Sequence, residues 1–107
     1  MPWFITSICS DVIMEEVWGR PGKASYERPQ RTFGFFERYY EAFLSVKDNV
    51  GNMQEMLYDY LVLEYIEPGI HSKVISREWY RWNMDEKRWV YAECPKEFEV
   101  VTNFAVG

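Results

Sequence analysis

The stretch Leu61–Ile66, LVLEYI, is a nearly continuous apolar run closed by the turn formers Pro68 and Gly69. Such a run reads as the central strand of a sheet, covered on both faces. Upstream, Tyr39, Phe43, Val46 and Val50 recur at i, i+4, i+7 and i+11, with Arg38, Glu41, Ser45 and Asp48 between them. That spacing predicts a helix from Glu37 to about Asn49 with Phe43 at the centre of its buried stripe and Gly51 as its left-handed stop. Asn52 and Glu55 resemble a capping box. With Met53, Met56, Leu57 and Tyr60 at helical spacing, they predict a short second helix leading into the central strand.

The remaining segments supply further strands. Trp3–Ser10 is dense in aromatic and β-branched residues and reads as a buried strand; in Asp11–Trp18, Ile13, Met14, Val17 and Trp18 fit one helix face, while Val12, Ile13 and Val17 suit a strand paired back on the first, and a strand is expected. Gly19, Pro21, Gly22 and Pro29 make residues 19–30 a loop. In the strand Arg31–Phe36, Gly34 among three phenylalanines predicts close approach of a neighbouring element. Val74–Trp82 and Arg88–Glu93 flank the polar link Asn83–Lys87 and form a hairpin with a charged tip, ended by Pro95. Phe98–Val101 is expected as an edge strand and Phe104–Val106 as a tail on the core. The fold class that follows is α+β: an antiparallel or mixed sheet of five or six strands with one main helix across a face.

At 107 residues, 48% hydrophobic and 19% aromatic, the chain fits one domain and lies far from the composition of disordered segments. A small domain cannot easily bury so many rings, which predicts a homo-oligomer. No apolar run reaches the roughly 18 residues of a membrane helix, and Met1–Ser10 lacks the pattern of a signal peptide, so a cytoplasmic protein is expected. The net charge of −5 argues against bulk attraction to duplex nucleic acid or anionic membrane. The sign is uneven, however: residues 20–38 carry +3 and 73–96 carry +2, against −3 for 1–19, −5 for 39–72 and −2 for 97–107.

Catalytic patterns fail on inspection. Gly19–Ser25, GRPGKAS, has the glycines and lysine of a phosphate loop, but no glycine five residues before Gly22 and Ala24 where a hydroxyl is needed. His71 is the single histidine, so a multi-histidine metal site is impossible. Glu64 and Glu67 stand three apart on a strand, diverge, and read as surface charges; Glu15 and Glu16 also diverge. Cys9 and Cys94 lack zinc-site spacing and read as buried reduced thiols, a bridge between the chain ends being the alternative. No enzyme, cofactor or metal is expected.

The hairpin carries the candidate site. Alternation puts Arg77, Trp79 and Arg81 on one face of their strand, with Trp89 on the next and Arg20, Lys23 or Arg31 approaching from the positive segment. Flat rings interleaved with guanidinium groups stack a base and fork onto phosphate oxygens. The same residues serve equally as cross-strand pairs over the core with arginine stems lying across them. The segments RTFGFFERYYEAFLSVKDN (31–49), YDYLVLEYIEPGIH (58–71), REWYRW (77–82) and NFAVG (103–107) resemble a group of small proteins from Firmicutes and their phages. That resemblance implies a bacterial or phage cytosolic protein with no assigned activity and supplies no functional residues. The expected function is non-catalytic capture of a small anionic ligand, such as a nucleotide signal of host defence, by a phage-type accessory protein. The alternative is a protein-binding inhibitor of a host factor, whose acidic stretch Glu41–Glu67 mimics nucleic-acid charge.

Overall fold

In the computed structural model the described residues are 2–10, 30–50, 53, 58–67, 73–99, 101 and 104–105. Strands β1 (Trp3–Ile8) and β2 (Gln30–Phe36) precede helix α1 (Tyr39–Lys47). Strands β3 (Tyr60–Glu67), β4 (Lys73–Asn83) and β5 (Arg88–Ala92) follow, then a 3-10 turn at Lys96–Phe98. The five strands form one antiparallel sheet in the order β2-β1-β3-β4-β5. The α+β expectation is met, and LVLEYI lies in the central strand, one residue longer at each end than its apolar run. Among the described residues no helix is long and apolar enough to cross a membrane.

Register assigns each side chain to a face. On one face Trp3, Ile5, Leu61, Leu63, Tyr80 and Trp89 pack under α1, which contributes Ala42 and Val46. On the other, Ile8, Val62 and Trp79 pack under Phe98 and Phe104. Phe98 and Phe104 therefore cover a face rather than extend the sheet, and where an edge strand was expected from Phe98 the chain forms a 3-10 turn at Lys96–Phe98. Phe98 accounts for the difference: its ring lies flat on Trp79, with centroids 5.5 Å apart and planes 3° from parallel, a contact an added edge strand could not make.

Three local readings are corrected. The buried stripe of α1 runs through Ala42 and Val46, while Phe43 is only half-buried and Val50 is exposed. The helix stops at Asn49, whose φ is +46°: the Val50 N–H donates to the Ser45 carbonyl at 3.0 Å and the Asn49 N–H to the Val46 carbonyl at 3.1 Å. This is a Schellman closure with asparagine in the left-handed position, upstream of Gly51. At Gly34 nothing stands within 4 Å of where a Cβ would lie; the glycine is needed because φ is +122° at a bulge in β2, where Phe33 and Gly34 oppose Ile5. The expected strand at 11–18, the loop at 19–29 and most of the second helix lie outside the described residues. Of that helix, Tyr60 belongs to β3. Cys9 is buried, Cys94 half-buried, and the two are not bridged.

Candidate functional site

The residues expected to form a stacking site are dispersed. Alternation does put Arg77, Trp79 and Arg81 on one face, but that face is the one under the C-terminal segment. Trp79 is 5% exposed, stacked on Phe98 and met edge-on by Phe104, so neither side of its ring is open to a base. Arg77 turns inward: its Nε donates to Glu64 Oε2 at 3.1 Å and its guanidinium lies 5.3 Å from the Phe104 ring centroid. Arg81 is exposed. Trp89 is 4% exposed and belongs to the opposite face, because the hairpin register pairs it with Trp82 and places Ala92 beside Trp79. Arg31 is on β2, exposed, with its guanidinium 4.9 Å above the Phe33 ring. Three inter-strand steps of roughly 4.8 Å separate it from β4. Arg20, Lys23 and His71 lie outside the described residues.

Glu64, expected at the surface, is fully buried. Its Oε1 accepts the N–H groups of Phe104 and Ala105 at 3.0 and 3.1 Å, opposite the Arg77 contact on Oε2. Burial raises its pKa, opposed by the Phe104 N–H bond and by Arg77. Asp59 is likewise taken up, accepting the Ser10 N–H at 2.7 Å and the Ser10 hydroxyl at 2.5 Å. The acidic stretch Glu41–Glu67 is therefore no continuous surface stripe.

A cleft of about 640 Å³ opens elsewhere, between α1 and the outer strands β4 and β5. The helix lends Phe43 and Val46 to one wall and β5 lends Trp89 and Tyr91 to the other. Tyr91 is 73% exposed, whereas Trp89 is fixed at depth by donating its Nε1–H to Asn49 Oδ1 at 3.1 Å. The same Oδ1 accepts the Met53 N–H at 2.9 Å, so the residue that ends the helix also ties it to β5.

Charged and polar groups line the same space. Lys47 and Asp48, at the end of α1, and Arg88, at the start of β5, are exposed. Arg88 pairs with exposed Glu86 at 3.1 Å, a contact of small energetic weight in water; among the described residues Lys47 has no ion-pair partner. From β4 come Glu78 and Tyr80. Tyr39, at the first turn of α1, donates to Glu78 Oε1 at 2.7 Å, and Tyr80 donates to the same oxygen. The Tyr80 phenol pKa is pushed far up, first by burial and then by the Glu78 hydrogen bond and charge; that of Tyr39 is raised by burial and then by its Glu78 hydrogen bond, opposed by a hydrogen bond with Tyr80. Both phenols therefore stay protonated and act as fixed donors.

Sequence reading reached Trp89 but missed Glu78, Tyr80, Lys47 and the place of Tyr39. A signal was present: Glu78 and Tyr80 alternate with Trp79 and Arg81, so the other strand face also carried a carboxylate beside a ring. Choosing between the faces required knowing that the C-terminal segment covers one of them. No protein-family model, curated protein or solved structure matches this chain.

Proposed function

We propose that this is a non-catalytic binding protein that takes a small anionic ligand with a planar ring, of the nucleotide class, into the cleft between α1 and β5. The observation that carries the reading is one cleft in the size range of small-molecule sites, roughly 300–1,000 Å³, in which aromatic walls meet two exposed cations, Lys47 and Arg88, at the end away from the half-buried carboxylate of Glu78. Phe43, Trp89 and Tyr91 offer ring surface. Lys47 and Arg88 offer charge to phosphate oxygens from the ends of two rigid elements. The phage-accessory setting is supported by the resemblance of the quoted segments, and capture of a host nucleotide signal is the role that would suit such a protein.

The test is calorimetric titration of linear and cyclic nucleotides into the full chain and into Arg88→Ala and Lys47→Ala, each with its native circular dichroism confirmed. Binding by the parent is expected, weakened by roughly 1.5 to 3 kcal/mol when one charge-assisted contact is removed. Arg81→Ala, on the other sheet face, should bind as the parent does. Absence of binding by the parent sinks the proposal, and loss confined to Arg81→Ala moves the site to the opposite face.

A further inference from the structure

Of the two carboxylates that line the cleft and that anion capture does not use, Asp48 is exposed and Glu78 is half-buried. Both phenols that reach it donate to Oε1, and among the described residues nothing bonds Oε2. Both phenols donate to the carboxylate, so what remains at this end of the cleft is an acceptor, Glu78 Oε2. The donors, Lys47 and Arg88, come from the ends of α1 and β5. A cleft that accepts at one end and is cationic at the other suits a ligand that donates at one end and is anionic at the other.

We infer that Glu78 sets the specificity of the cleft by accepting an amino N–H, so that its ligand is a nucleotide whose base carries an exocyclic amino group. The inference rests on the ligand-capture reading above. A base presenting a carbonyl at that position sets lone pair against lone pair in a half-buried site and leaves Oε2 desolvated without a donor, the kind of mismatch that separates close analogues most strongly. Tying α1 to β4 is the other service the cluster performs. That service uses Oε1 alone, and it makes Tyr39 a positioning residue: its bond to Glu78, together with its edge contact on Trp3 at 5.0 Å, fixes the start of the helix over the sheet.

Matched pairs of nucleotides make the test, because adenosine and inosine monophosphates differ in an amino group against a carbonyl, as do cytidine and uridine monophosphates. In calorimetry with the full chain, the amino member of each pair should bind about tenfold or more tightly. Glu78→Gln should lose that preference or reverse it, since the phenols hold the amide oxygen and turn its NH₂ toward the ligand. Tyr39→Phe, which leaves the carboxylate in place, should keep it, and Arg88→Ala should weaken all four nucleotides alike. Equal affinity within both pairs overturns the inference while leaving ligand capture intact; no binding of any of the four overturns both. A preference that survives Glu78→Gln, or disappears in Tyr39→Phe alone, assigns the selection to another group and overturns it too. Should Glu78→Gln fail to fold, the parent's preference and the Tyr39→Phe result still decide.

Discussion

At the scale of single residues, Glu64 holds more of the structure than any other charged side chain described. A carboxylate with no exposure satisfies two backbone N–H groups of the C-terminal segment and the Nε of Arg77. Glu64→Ala would leave the two buried N–H groups without their acceptor and break the contact with Arg77, at a cost of about 3–5 kcal/mol in urea unfolding. Its pH dependence runs opposite to that of an exposed ion-paired carboxylate. Burial raises its folded-state pKa above the ordinary 4.5, so the folded protein holds the proton more tightly than the unfolded chain. The stability this gives is complete below pH 4.5 and is lost as pH climbs from there to the folded value. Asp59, also raised by burial, acts in the same direction from 3.8 upward. Melting temperature should therefore fall across this window, and the difference between parent and Glu64→Gln should shrink as pH rises. A difference that grows with pH would show that the pKa is lowered instead. Sequence could not place this carboxylate inside: EYIE reads as two diverging surface charges, and the partners that make burial tolerable come from residues 40 positions later.

At the scale of elements, the existence and type of the five strands and of α1 followed from the sequence pattern, while the C-terminal turn and the orientation of each element followed from contacts that pattern does not contain. The helix was visible in its 3.6-residue spacing, but large side chains drew the predicted stripe toward Phe43, and the sheet beneath leaves room nearest the axis for small ones, Ala42 and Val46. Val46→Ala, at a fully covered position, should cost about 2 kcal/mol. Phe43→Ala should fall short of the roughly 3–5 kcal/mol lost by a fully buried phenylalanine, because half of that ring faces the cleft. Urea midpoints of the two variants test the rotation; a Phe43→Ala loss in the full range would return the stripe to its predicted centre. The hairpin shows the same division. Its strands and charged tip were legible, but the pairing of Trp82 with Trp89 depends on a four-residue connection with Lys87 at φ +54°, and that register decides which tryptophans share a face. A shift of one residue would have placed Trp89 opposite Arg81 or Asn83 and so on the same face as Trp79, as the stacking site required.

At the scale of the whole molecule, the sheet is covered by two unlike elements, and each does something the other cannot. Helix α1 covers Trp89 of β5 but leaves Tyr91 exposed, and the cleft lies between helix and strand; Phe98 and Phe104 close the opposite face over Trp79. Gln30 Nε2 donates to the Phe104 carbonyl at 3.1 Å, so this cover reaches from β4 across to the β2 edge. It is attached by polar bonds at its rim and by stacked rings at its centre, over a face whose residues Ile8, Val62 and Trp79 have no other cover among the described elements. Removing residues 95–107 would expose that apolar face and take from Glu64 the N–H groups of Phe104 and Ala105, leaving Arg77 as its partner. Together the two losses are comparable to the whole stability of a domain of this size, about 5–15 kcal/mol. The shortened chain should lose its near-ultraviolet circular dichroism and its cooperative urea transition even though every strand of the sheet is present in its sequence. A shortened chain that unfolds cooperatively at the parent's urea midpoint would show that α1 and the sheet are sufficient alone, and that the C-terminal residues cover a face already stable without them.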